Sequence, residues 1–265
     1  MKWKHINYEE SKDIAIITIN NPKKMNSMNM RFLHDMEEVL DICEKNREIR
    51  CAILTGAGDK AFTSGGDVKE ERDYNSEQIK EYNERGCNLI TKIRNSRIPY
   101  IAAVNGYALG AGIGLITVCD LVLSSENSVF GLPTIGLGGI PGWGCTQTIT
   151  KIIGPQRAKM LLLANETYSA EEAKDFGIVN KIVKQEQLIE EAIKYAEKIA
   201  SFAPNAVELS KYAINNGLDC TFEKGLAIEA EMLNRCNNDY NFKEGITAFL
   251  EKRPAIFKTL MNYQN

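Results

Sequence analysis

Two glycine-rich stretches carry the chemistry that this sequence can offer: AFTSGGD at 61–67 and GYALGAGIGLITVCD at 106–120. Each follows a strand-like apolar run and leads into a helix-like one. Gly110, Gly112 and Gly114 open what otherwise reads as a helix, although glycine weakens helix interiors. Bare backbone lets main-chain N–H groups approach a ligand, and the first N–H groups of a helix have no internal partner. Two such loops aimed at one oxygen make an oxyanion hole, where each donor contributes about 2.7–4 kcal/mol to lowering a barrier. Taken singly, each loop reads equally as a tight strand–helix turn that needs small residues. A phosphate-binding P-loop is excluded because no Gly-Lys-Ser/Thr follows. GAGIGL lies mid-chain and has the wrong glycine spacing for a dinucleotide site.

The side chains offer less. His5 and His34 are the only histidines, which leaves no histidine cluster for a metal. His34 falls in a helical pattern with Leu33, Met36, Leu40 and Cys43, and His5 lies beside the first strand; both read as packing or surface residues. The seven cysteines are scattered and form no CxxC pair, which predicts free thiols in a reduced, cytoplasmic protein. MKWKHINYEE lacks the apolar segment of a secretory signal, and no apolar run is long enough to span a membrane. A net charge of −3 gives no electrostatic footprint for nucleic acid or anionic lipid. The chain has 265 residues, 44% of them hydrophobic, enough for one large domain or a core with a small appendage.

The elements that must position the loops follow from periodicity. Ile14–Ile19, Cys51–Thr55, Tyr100–Val104 and Leu121–Ser124 read as buried strands, and Ile178–Val183 as a last short one. Helical spacing runs from Asn29 to Lys45, from Val68 to about Asn95, from near Leu109, and over Pro155–Ala164. Ser169 and Glu172 form a capping box for a short helix that stops near Gly177. Gln187–Ser201, Pro204–Asn216, Phe222–Asn234 and Asn241–Lys252 read as consecutive helices. Strands alternating with helices predict an α/β fold with parallel pairing, followed by a helical tail. Gly131–Gly144 is the longest irregular stretch, and long ordered loops often carry function.

Six blocks occur in order along nearly the whole chain: NNPKKMNSM, KAFTSGGDVKE, IPYIAAVNGYALGAGIGLITVCDLVLSSENSVFGLP, IPGWGCTQ, YSAEEAKDFGIVNKIV and EGITAFLEKRPAIFK. Together they strongly resemble the enoyl-CoA hydratase/isomerase (crotonase) superfamily. The resemblance implies an α/β fold, a crotonase-type spiral of ββα turns, with a C-terminal α-helical trimerisation region. It places the spiral core and acyl-CoA site in residues 1–200 and the helical region in 201–265. It implies an acyl-CoA thioester substrate, no cofactor beyond the coenzyme A that the substrate carries, no metal, and a homotrimer or dimer of trimers. The enolate of the thioester would be held by the N–H groups of Gly66 and Ala111. Lys24, Met25, Ala61 and Phe62 would lie along the coenzyme A, with Phe249 and Lys252 reaching it from the last helices.

The pattern departs from the family where its hydratases carry two glutamates, for those positions here are Gly114 and Thr134. Between Gly106 and Gly144 the only acids are Asp120 and Glu126, which read as structural and solvated respectively. The family's dehalogenase branch needs a carboxylate nucleophile within 134–145, and none is present. Asp67, Glu70, Glu71, Tyr107, Thr134, Trp143 and Cys145 remain near the expected pocket. Asp67 reads as a helix opener, and Glu70 and Glu71 as the start of a charged helix. Tyr107 and Thr134 donate hydrogen bonds but are poor bases at neutral pH. Cys145 has no histidine to activate it, and Trp143 would line the pocket.

Three readings follow. One is decarboxylation of a malonyl-type thioester, in which loss of CO2 generates the enolate and Thr134, Tyr107 or water returns a proton. Another is a hydratase or isomerase whose acid and base come from elsewhere, such as Glu70 or Glu71. The last is a non-catalytic acyl-CoA binder, against which the intact oxyanion loops argue.

Overall fold

The computed structural model describes residues 3–259. The chain runs β1 (Ile6–Ser11), β2 (Ile14–Ile19), α1 (Met30–Lys45), β3 (Cys51–Gly56), β4 (Ala61–Thr63), α2 (Val68–Glu71) and α3 (Ser76–Asn95). It continues with β5 (Tyr100–Val104), β6 (Tyr107–Leu109), α4 (Ala111–Thr117), β7 (Leu121–Ser125), β8 (Val129–Gly131) and α5 (Cys145–Leu163). It ends with β9 (Thr167–Ser169), α6 (Ala170–Asp175), β10 (Lys181–Val183), α7 (Leu188–Ala200), α8 (Pro204–Gly217), α9 (Phe222–Asn237) and α10 (Tyr240–Leu250).

The strands form two sheets, ordered β1-β2-β3-β5-β7-β10 and β4-β6-β8-β9. Among the described residues only β1–β2 and β8–β9 pair antiparallel. Each successive turn of chain gives one strand to each sheet: β3 then β4, β5 then β6, β7 then β8, with helices between. This is the spiral of ββα turns. Asn105 fastens its corners, since its Nδ2 donates to Gly56 O at 2.8 Å and Gly58 O at 2.7 Å.

The larger sheet is buried on both faces, as the continuous apolar strands require. Ala52, Leu54, Ala102 and Val104 face the main core with α1 and α3. Ile53, Ile101, Ala103 and Leu123 face Leu188, Ala192 and Ala196 of α7. Helix α1 forms because Phe32, Leu33, Met36, Val39, Leu40 and Cys43 fall on one buried face. Its N-cap Asn29 accepts from Phe32 N at 3.0 Å, satisfying one of the unpaired first-turn donors.

Several boundaries differ from the sequence reading. The helix expected over 68–95 is two helices, because Asn75 caps a new start with a reciprocal Asn75–Gln78 capping box. The helix expected from near Leu109 begins at Ala111, and residues 107–109 are strand β6. α5 is broken at Gly154 (φ 78°, ψ 162°), so the helix expected from Pro155 is its second segment, and residues 145–153 form a further helical segment ahead of it. The three-residue strands β4, β6, β8 and β9 are too short for a periodicity to register.

Helix α8 is anchored by a buried lysine. Lys211 Nζ donates to Ile93 O at 3.1 Å, Ile98 O at 3.0 Å and Asp120 Oδ2 at 2.8 Å. Asp120 also accepts from Tyr100 N at 2.7 Å, so one carboxylate ties α8 to the sheet. Lys211→Met is expected to lower unfolding stability by about 2 kcal/mol, because it leaves two carbonyls and a partly exposed carboxylate without the buried ammonium. Urea denaturation measures this; a loss under about 1 kcal/mol would place the anchoring elsewhere.

Candidate active site

The two glycine-rich loops meet. A Cβ added to Gly65 (φ 93°) would lie 2.8 Å from Leu109 O and 3.3 Å from Ala111 N, so only glycine allows the approach and the positive φ. Gly110 N donates to Gly131 O at 2.9 Å, which pins the second loop to β8. The first loop is braced by residues 20–28: Ser64 N donates to Met25 O at 2.9 Å, Met28 N to Gly65 O at 2.8 Å and Asp67 N to Met28 O at 3.1 Å. Between these bonds, the N–H groups of Gly66 and Ala111 donate to nothing among the described residues.

Gly114 is buried in α4. A Cβ there would overlap the Trp143 carbonyl oxygen and come within 3.1 Å of Cys145 Sγ. The room a longer side chain would need is filled by the main chain of 143–145. Trp143 takes φ 51° to make this corner. Its indole rests on Gly86 of α3, where an added Cβ would overlap the ring. Tyr82 packs beside it with ring centroids 5.2 Å apart, and Tyr74 beside Tyr82 at 5.8 Å. Trp143 and Tyr82 are buried in the main core, with Tyr74 packed against it.

Cys145 is fully buried and its Sγ lies 3.5 Å from Gly110 O. Burial pushes its thiol up to about 12, so it is a packed thiol at neutral pH and no nucleophile.

The three acids of the 67–71 segment have different environments. Asp67 is buried and bonded to Lys24 Nζ at 2.7 Å. Burial raises its pKa, but the Lys24 ammonium outweighs that and holds the carboxyl below its usual value. Glu70 accepts from Asn29 Nδ2 at 2.8 Å, from Met30 N at 3.4 Å and from the Tyr74 hydroxyl. Glu71 turns the other way. A Cβ on Gly66 would overlap Glu71 Oε1 and lie 2.9 Å from Tyr82 Oη, so the carboxyl rests against the Gly66 backbone. Burial holds it above the ordinary carboxylate value, opposed by a hydrogen bond to Tyr82 and aided by the Asp67 and Glu70 charges.

The remaining predicted residues divide. Lys24 and Met25 border the first loop. Ala61 and Phe62 are 1% and 0% exposed, and Ala61 O accepts from Asn26 Nδ2 at 2.7 Å. Phe62 belongs to the core. Thr134 is half-buried on a short 3-10 turn, Pro133–Leu137, that follows β8. Tyr107 is 43% exposed and starts β6, at the end of that strand away from Ala111. Phe249 and Lys252 sit on or after α10. Phe249 lines a cleft with Ala203, Phe242 and Phe257, apart from the two loops. A cleft of about 760 Å3 lies between α8 and the ends of α4 and α5 and is lined by Thr117, Lys151, Phe202 and Ile214. It contains neither Gly66 nor Ala111, so its size says nothing of the chemistry. Among the described residues no group of three or more His, Cys, Asp or Glu could hold a metal, and no helix is long and apolar enough to cross a membrane.

Sequence reasoning named Glu71 without separating it from Glu70, and it missed the Trp143 carbonyl at Gly114 and the Tyr82 contact. The available signals were two glycines inside helices, Gly86 and Gly114, each marking a close approach.

Comparison with known proteins agrees with this architecture. The family model described as Enoyl-CoA hydratase/isomerase matches residues 9–260. A short-chain-enoyl-CoA hydratase of Clostridium acetobutylicum is 38% identical over 253 residues, 96% of this chain and 97% of that one. A crotonyl-CoA hydratase of Syntrophomonas wolfei is 37% identical over 257 residues, covering 97% and 99%. The crystal structure of an enoyl-CoA hydratase from Bacillus anthracis superposes with a TM-score of 0.94 at 35% identity, covering 97% of this chain and 100% of that one. With the spiral fold, the paired glycine loops and these matches over nearly its whole length, the chain belongs to the enoyl-CoA hydratase/isomerase family.

Proposed function

We propose that this protein binds a short-chain acyl-CoA thioester, holds the thioester oxygen on the N–H groups of Gly66 and Ala111, and moves protons at the α-carbon of the resulting enolate. The observation that carries the reading is the contact between the Gly65–Gly66 and Gly110–Ala111 loops, with both N–H groups left unpaired. Charge that develops on the oxygen is met by donors already in place, which costs no reorganisation during the reaction. Hydration of an enoyl thioester is the favoured reaction, in keeping with the activities named for the bacterial relatives. Lys24 and Met25 border the path for coenzyme A. Coenzyme A enters as part of the substrate, and no other cofactor is required. The exposed apolar side chains of α8–α10, Leu218, Phe222, Phe249 and Leu250 among them, fit a homotrimer or dimer of trimers. In such an assembly Phe249 and Lys252 would reach coenzyme A across a subunit boundary.

The test is crotonyl-CoA with purified protein, followed by loss of enoyl absorbance and by product mass. Hydration at about 1–10³ s⁻¹ is expected. Crotonyl-CoA bound but unchanged, with malonyl-CoA turned over, would replace this reading by decarboxylation, for which the absence of acids at Gly114 and Thr134 is the motive.

A further inference from the structure

We propose that Glu71 is the acid–base group of this site, taking a proton from the attacking water and returning it to the α-carbon. This rests on the enolate reading above. The placement is specific. Glu71 sits at the end of α2, and its carboxyl lies against the backbone of Gly66, in space that any side chain at 66 would occupy. The same residue therefore offers an N–H to the thioester oxygen and a floor to the carboxyl.

The neighbouring acids are engaged elsewhere. Asp67 holds Lys24, and Glu70 is bound by Asn29, Met30 N and Tyr74. Among the described residues no lysine or arginine forms an ion pair with Glu71, whereas Asp67 is paired with Lys24. Tyr82 orients the group. Its hydroxyl donates to Met28 O at 2.7 Å and lies beside the Glu71 carboxyl at the Gly66 backbone, a contact that favours the carboxylate form. The groups facing Glu71 are thus Tyr82 from α3, and Asp67 and Glu70 from its own segment, with Tyr74 behind Glu70. None is a cation. Burial and the two acidic neighbours raise its pKa, towards the range where a carboxyl serves as both base and acid near neutrality.

One carboxyl suffices for the balance. Glu71 carboxylate removes a proton from water as the water oxygen bonds to the β-carbon. The C=C electron pair moves to the α-carbon and thioester oxygen, where Gly66 and Ala111 N–H hold it. Glu71 then gives the same proton to the α-carbon, and the carboxylate is restored. The net change is addition of one water.

The experiment incubates crotonyl-CoA with the full chain in D2O and reads deuterium in recovered substrate and product by mass spectrometry, with crotonyl-CoA affinity measured by calorimetry. Glu71→Gln is expected to lower deuterium uptake about 10²–10⁴-fold with affinity within a few-fold, which also shows that the variant folds. The wild-type rate should rise with pH around a midpoint above the ordinary carboxylate value of 4.5. That limb should vanish in Glu71→Gln and shift in Glu71→Asp, as a purely structural acid would not cause. Uptake by Glu71→Gln within threefold of wild type, with the limb intact, overturns the assignment while leaving the enolate reading standing. A wild-type protein that binds crotonyl-CoA and takes up no deuterium overturns both.

Discussion

Ala111→Pro is expected to slow crotonyl-CoA turnover about 10²–10³-fold, the cost of one oxyanion-hole donor, while unfolding stability changes little. The substitution is unusually clean because Ala111 is the first residue of α4. A proline there removes an N–H that has no partner within the helix, and its fixed φ suits the first helical position. The residue before it is Gly110, at φ 53° and ψ −125°, which has no Cβ for the proline ring to meet. Ala111→Gly keeps the N–H and should retain most of the rate. Steady-state kinetics on the two variants separate the donor from the side chain. Equal rates for Ala111→Pro and wild type would remove Ala111 from the chemistry and with it the enolate site as described.

Gly114→Glu, which writes a carboxylate into the position where the family's hydratases carry one, is expected to gain no hydration and to unfold the protein more readily. Overpacking alone costs about 1–3 kcal/mol, and a carboxylate forced against the Trp143 carbonyl is buried without a donor. The sum is about 4 kcal/mol or more, in the range reached only by a core clash or an unpaired buried charge. The reason is local: the Trp143 oxygen and Cys145 Sγ already occupy the space beside Gly114. Denaturant midpoints and crotonyl-CoA turnover measured together decide it. A stable, faster Gly114→Glu variant would mean that the 143–145 corner yields, and that the site is a hydratase pocket awaiting its acid.

The two predictions treat glycine in opposite ways. At 110–111 the backbone itself is the reagent, so what matters is the N–H. At 114 the backbone of another segment has moved in, so what matters is the missing Cβ. The packing of Trp143 depends on the same economy of space, since its indole seats on Gly86.

Much of this was legible in the residues. Apolar runs at 14–19, 51–55, 100–104 and 121–124 determined the parallel sheet, because a strand buried on both faces needs no alternation. Asn29 and the spacing from Phe32 to Cys43 determined α1. The glycine loops after two of those strands, and the ordered blocks around them, carried the family resemblance, from which the two proposed N–H donors follow. Short strands of three residues escaped notice because they carry too few residues for a period, and they exist only through pairing with one another. The split of 68–95 into two helices was written in Asn75 and Gln78, but was hidden by the charged, helix-favouring residues on either side.

What the tertiary structure alone decided is how the Glu70 and Glu71 carboxyls are placed and why Gly114 is glycine. Glu70 and Glu71 are adjacent, and successive helical residues point about 100° apart; a four-residue helix has too little apolar pattern to set its rotation. That rotation is imposed from outside, by Asn29 and Tyr74 gripping Glu70 and by Tyr82 meeting Glu71. Likewise the partner of Gly114 lies almost thirty residues away, in the irregular 131–144 stretch. Contacts between segments so separated follow from how the turns of the spiral stack, and no local spacing of residues encodes them.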